Sequence, residues 1–245
     1  MWKELKPGLM MIVVMTALTG VVYPVAMTAV SQVLFQDQAN GSLITLNGQV
    51  VGSRLIGQNF SKPEYFHPRP SSAGSGYDPT ASGGSNLGPT NAKLLNGTTS
   101  KDATGEETVA FDGVKDRLVH YCLDNDIPYE SSRPIDAFKS ANGHLDDVKL
   151  INAFNDEASP FTFVAKTPIP ADAVTASASG LDPHISPRNA ALQAGRVAHT
   201  RGVPVAEVQQ LIAQHTEGRT FGFLGEPHVN VLELNLDLDQ RHPRK

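Results

Sequence analysis

The chain has 245 residues, 40% of them hydrophobic, a formal net charge of −5 and one cysteine, Cys122. No basic run is longer than the terminal Arg241-His242-Pro243-Arg244-Lys245, which argues against nucleic acid as a partner. A single thiol excludes an intrachain disulfide and a cysteine-based metal cluster, so the fold must be held by its core or by a partner.

Residues 1–8 form a short polar start, and from Leu9 to Phe35 no charged side chain occurs. A helix over 9–35 is roughly 40 Å long, enough to cross a hydrocarbon core of about 30 Å with tilt. Trp2, Lys3 and Lys6 precede the run and the first acidic residue after it is Asp37, so the charge bias places the N-terminus in the cytoplasm and residues 36–245 outside. A cleaved secretory signal fits less well: its apolar region is about 7–15 residues, and Met27-Thr28-Ala29 puts a bulky side chain where a small one is needed. Thr16 and Gly20 share a face at a spacing that admits a neighbouring helix, although small residues are common in membrane helices, and Pro24 predicts a kink.

Beyond the anchor, two short apolar runs flank Asn47-Gly48, the signature of a hairpin. The stretch 52–91 is dense in Gly, Pro, Ser and Asn, but Phe60, Tyr65, Phe66 and Tyr77 are threaded through it with Arg54 and Arg69, so an ordered loop is expected rather than a flexible linker. Val114, Leu118, Tyr121 and Cys122 then keep helical spacing, with Cys122 read as a small buried hydrophobe. A helix is expected around Leu145 to Phe154 after a turn at Asn142-Gly143; the segment 131–165 is a possible insertion without an assigned role.

Ser186-Pro187 is a cap followed by proline at the first helical position, with Ala190, Ala194, Val197 and Ala198 on one face up to Arg201-Gly202. Pro204 opens a second helix carrying Val208, Leu211, Ile212 and His215, which completes a helical hairpin. At the end, Leu232, Leu234, Leu236 and Leu238 alternate with Glu233, Asn235, Asp237 and Asp239, which predicts a half-buried strand with a bulge at Val231/Leu232.

Motifs for autonomous chemistry are absent: no phosphate-binding loop, no nucleophile elbow, no paired zinc histidines, and eight histidines at scattered positions. No catalytic or metal-ligating residue is therefore assigned. Asp182 and His184 read as a turn cap. The glycine- and serine-rich segments 82–86, 176–180 and 222–225 read as turns, with anion-binding backbone nests as the alternative.

Several segments together resemble the C-subunit family of the Kdp potassium-transporting P-type ATPase. They are Tyr23-Pro24, Leu55-Ile56-Gly57-Gln58 with Phe60, Tyr65-Phe66-His67 with Arg69-Pro70-Ser71, and the runs 82–91, 174–187, 196–198 and 225–238. The resemblance implies a non-catalytic accessory subunit without a cofactor of its own, ATP and potassium being handled by the complex. Its implied partners are the potassium-selecting channel-like subunit and the ATP-hydrolysing subunit, in the cell inner membrane. It also implies a catalytic-chaperone role that raises ATP affinity, with Gln193 at the position proposed to contact nucleotide.

The charge bias conflicts with direct contact, since it puts Gln193 outside, where ATP is scarce. An extracytoplasmic cap on the potassium-selecting subunit, coupled allosterically, fits both lines, with Gln193 on a solvated helix face. Phe60, Tyr65, Phe66 and Arg69 are candidate interface anchors, or else fill the domain's own core. The expected fold class is α+β: one N-terminal transmembrane helix and one extracytoplasmic mixed domain. The rivals are an anchored solute-binding module and an anchored hydrolase.

Overall fold

The apolar run near the N-terminus is helical almost throughout. In this computed structural model, which describes residues 2–243, α1 (Trp2–Ala17) passes through a π-helical turn, Leu18–Val22, into α2 (Tyr23–Leu34). Pro24 has no N–H to offer the carbonyl of Gly20 and its ring crowds that carbonyl, so the turn before it widens. Pro24 predicts a kink in the second half of the span; the irregularity described is this π-helical turn, which precedes the proline. Lys3–Leu34 is the one candidate span among the described residues, and its apolar window is not buried within the chain. Arg244 and Lys245 of the terminal basic run lie outside the described residues.

The chain divides between Leu55 and Ile56 into two compact units. In the first, α3 (Gln36–Ala39) leads to the antiparallel pair β1 (Leu43–Leu46) and β2 (Gln49–Ser53). Asn47 and Gly48 sit at φ 51° and 78°, the left-handed pair that a two-residue type I′ turn requires.

The second unit mixes helices with short antiparallel pairs. After α4 (Ala92–Asn96), β3 (Thr98–Lys101) pairs with β4 (Glu107–Phe111), and α5 (Val114–Asp124) follows. Its buried face is turned from the expected one: Val119 and Cys122 are fully buried with Asp116 and Arg117, while Val114 and Leu118 are only half-buried. Burial pushes the Cys122 thiol up to about 11, consistent with an inert core sulfur. Strand β5 (Tyr129–Ser131) pairs with β6 (Phe163–Ala165), and between them α6 (Asp147–Phe154) is capped by Asp146, whose side chain accepts from the Lys149 N–H. The segment 131–165 is thus structured. Ile135, Phe138, Leu150, Ala153, Phe154 and Phe161 pack with Val119 into a core of their own.

The short strand β7 (His184–Ile185) leads into α7 (Pro187–Arg201), capped by the Ser186 hydroxyl at one end and by left-handed Gly202 at the other. With α8 (Val205–Gln214) it forms the expected hairpin. Strand β8 (Thr216–Glu217) pairs with β9 (His228–Asn230), which also pairs with β7.

The C-terminal alternation is not a strand. After three residues of β9 the chain turns into α9 (Val231–Arg241), so the expected bulge at Val231/Leu232 is a strand-to-helix junction. Asn230 caps the helix by accepting from the Glu233 N–H, and residues Leu232–Asp239 contain no β-branched side chain. Val231, Leu234 and Leu238 fall on one helical face and are buried against α7 and α8, together with Phe66, Ile185 and Val229.

Candidate functional site

The Gly- and Pro-rich loop owes its order to a strap, residues 63–67, whose backbone is held by side chains from distant helices. Arg196 donates to the carbonyls of Pro63 (2.6 Å) and Tyr65 (2.9 Å), and Arg201 to that of Glu64 (2.8 Å). Asn235 takes the Phe66 N–H at Oδ1 (2.9 Å) and donates Nδ2 to its carbonyl (3.0 Å). Gln193 does the same for His67, at 2.7 and 3.1 Å. A loop without a ladder partner must satisfy its buried backbone groups in some such way.

Gln193 is 1% exposed, which corrects its assignment to a solvated helix face. Its Oε1 also accepts from Arg196 (2.8 Å) and its Nε2 also donates to Asn189 (2.8 Å), so all four of its ordinary hydrogen bonds are made within the chain. Of the four interface candidates, Tyr65 and Phe66 are buried, at 8% and 0% exposure, so they belong to the domain's own core and not to a free docking face. The Tyr65 hydroxyl reaches Asp239 (2.8 Å), and the Arg201 guanidinium lies 5.0 Å from its ring centroid. Phe60 leans on Tyr65 with ring centroids 5.3 Å apart. Arg69 pairs with Asp182 (2.9 Å), and Asp182 also caps the His184 N–H, as expected.

Beside the strap lies an open cleft of about 510 Å³. Phe60, Arg69 and Gln193 reach it, facing Asp116, His120 and Asp147. Asp116 and His120 are one helical turn apart on α5, and Asp147 is the first residue of α6. His120 Nε2 lies 2.8 Å from Asp147 Oδ1, and this hydrogen bond raises the imidazole above its usual range against the opposing effect of burial. Burial pushes the Asp116 carboxyl up to about 7; His120 opposes the shift, while Asp147 and Asp112 add to it. A search for paired histidines misses this set, because it joins one histidine to two aspartates and Asp147 is distant in sequence. The i, i+4 spacing of Asp116 and His120 was its legible half.

The glycine-rich segments pack on each other. Gly83 N–H donates to the Ser179 carbonyl (2.9 Å), and Gly180 sits at φ 68° where a Cβ would lie 2.7 Å from backbone atoms of Ala73 and Gly83. The third segment, 222–225, belongs to a tip that exposes Phe221 and Phe223, at 84% and 69%.

A mixed helix-and-sheet unit joined to one helix long and apolar enough to cross a membrane defines a candidate single-anchor membrane protein, and comparison with known proteins gives its family. Residues 5–146 and 135–240 match the family described as K+-transporting ATPase, c chain; the chain belongs to this KdpC family. It is 44% identical over 243 residues to the potassium-transporting ATPase KdpC subunit of Koribacter versatilis, covering 99% of this chain and 97% of that one. The KdpC subunit of Mycobacterium tuberculosis is 45% identical over 240 residues, covering 98% and 100%, and that of Beijerinckia indica is 42% identical over 243, covering 99% and 96%.

Proposed function

We propose that this chain is the accessory, non-catalytic subunit of an ATP-driven potassium importer, anchored N-terminus inward in the inner membrane, with residues 36–245 on the extracytoplasmic side. The observation that carries this reading is the family match along nearly the whole chain, joined to the charge bias of Lys3 and Lys6 ahead of the uncharged run that begins at Leu9. The second unit caps the potassium-selecting subunit. It raises the ATP affinity of the hydrolysing subunit at a distance, through contacts that differ between pump states. Gln193, with its hydrogen bonds spent inside the chain, positions the strap and α7 in this reading rather than touching nucleotide. Docking falls to exposed side chains such as Phe221 and Phe223, since Tyr65 and Phe66 are in the core.

Sidedness is the test. A lone cysteine at Ala191, exposed on the helix that carries Gln193, is placed in a Cys122→Ser background and treated with a membrane-impermeant thiol reagent. Labelling in intact cells with a permeabilised outer membrane is expected. Protection in cells with labelling in inverted vesicles would overturn the topology and put the second unit on the side where ATP is abundant.

A further inference from the structure

We propose that Asp116, His120 and Asp147 form a binding site for a first-row divalent metal ion of the Zn²⁺ type, which clips α5 to α6 at the wall of the cleft. Helical spacing presents Asp116 and His120 on one face of α5, and the start of α6 brings Asp147 to them. One donor atom from each lies within 4.8 Å of the other two. Ligands bound tetrahedrally to a common ion at about 2.0–2.2 Å stand roughly 3.3–3.6 Å apart, so the set closes on an ion by moving inward by up to roughly 1.5 Å. The 2.8 Å contact between His120 Nε2 and Asp147 Oδ1 is a hydrogen bond, and the ion would take the place of its proton.

A second observation points to a missing partner. Asp116 is 3% exposed, and its Oδ1 accepts no hydrogen bond from any described group. Buried carboxylate oxygens are normally paired. The basic groups beside it are engaged with other carboxylates: Arg117 is held by Asp112 at 2.8 and 2.9 Å, and His120 by Asp147 at 2.8 Å. An ion bound here displaces the protons these groups hold, and the two carboxylates then carry the charge that a divalent ion balances.

The donor chemistry narrows the ion. Magnesium, calcium and potassium favour oxygen ligands throughout, whereas an imidazole nitrogen with carboxylates suits zinc and its first-row neighbours. Three protein ligands leave a further position to water from the cleft. The ion would tie the aromatic core around Phe154 to the helix that faces Gln193 across the cleft. This inference stands on the site's geometry and is independent of which side of the membrane the domain occupies.

The test uses the tag-free full chain in detergent, stripped with a chelator and titrated with Zn²⁺ by calorimetry, with Co²⁺ absorption as a second probe. A single ion per chain is expected, with Tm raised by roughly 5–10 °C at about 100 times Kd. Mg²⁺ and K⁺ should leave Tm unchanged. His120→Gln and Asp147→Asn should each weaken Zn²⁺ by roughly tenfold or more. His120→Gln should also abolish the Co²⁺ band. Both side chains are about two-fifths exposed, at 40% and 42%, so these variants should keep the apo circular-dichroism spectrum. Absence of binding overturns the proposal, and so does binding that both variants retain, which would place the ion on other groups such as the His184–His228 pair, whose rings lie 4.3 Å apart.

Discussion

The second unit holds two cores built by different means. The one around α7, α8 and α9 is aliphatic, and it holds Phe66 by a strap whose peptide groups are tied to Gln193, Arg196, Arg201 and Asn235. The other, around α5 and α6, is aromatic: Phe161 lies 4.6 Å from Phe138 and 5.1 Å from Phe154, centroid to centroid, and the Arg133 guanidinium covers the Phe138 and Phe161 rings at 5.4 and 5.6 Å. An apolar cluster loses stability roughly in proportion to the volume removed, whereas a clamp fails abruptly once one polar group is orphaned. The strap core is thus the more specific of the two and the less tolerant of polar-to-apolar change.

Truncating one aromatic in each core has the largest expected effect. Phe66 and Phe161 are both essentially buried, so Phe66→Ala and Phe161→Ala should each cost about 3–5 kcal/mol in denaturant unfolding. If the cores unfold as one cooperative unit, each variant shows a single shifted transition. A separate early transition for Phe161→Ala alone would mean that the aromatic core opens by itself.

Next comes the clamp. Asn235→Ala leaves the Phe66 N–H and carbonyl without their partner in a buried site, which should cost about 2–4 kcal/mol and speed hydrogen exchange at Phe66 more than at Phe161. Equal acceleration at both amides would dissolve the distinction between the cores.

How much of this was legible follows from sequence distance. Ser186-Pro187, Asn47-Gly48 and the 190/194/197/198 face are local signals, and each formed the element it predicts. Aromatics in the strap signalled order, but the partners that create it lie 126 to 174 residues away, where no spacing rule reaches. The C-terminal leucines satisfied two periods at once. Alternation suggested a strand, while the Asn230 cap with Glu233 three residues on marked a helix start and described the chain better. Of the acidic set by the cleft, only its i, i+4 half was local.

A smaller effect separates the cores by pH. Burial first, and Arg196 second, lower the His67 pKa, so the folded strap prefers the neutral ring. The unfolded chain then binds more protons, and stability present above about pH 6.5 is lost as pH falls through the lowered folded value. Measured by urea midpoint, His67→Gln should flatten the stability slope below that pH, although it also removes the ring contact with the Lys62 carbonyl. An unchanged slope would assign the acid sensitivity to other groups.

The smallest expected effect on stability falls at the exposed tip, and there it should coincide with a large effect on assembly. Thr220 and Leu224 bridge to each other and hold Phe221, at φ 54°, and Phe223 out into solvent. Neither ring is buried in the chain, so Phe221→Ser with Phe223→Ser should stay within about 0.5 kcal/mol of the parent in unfolding. A folded domain gains little by presenting two aromatics unless something covers them, and aromatic side chains are favoured anchors in interfaces between proteins. The double variant should therefore fold normally and yet lose co-purification with the other pump subunits. Retained co-purification would move the docking surface elsewhere, whereas a large stability loss would show that the tip packs within the chain, as Tyr65 and Phe66 do.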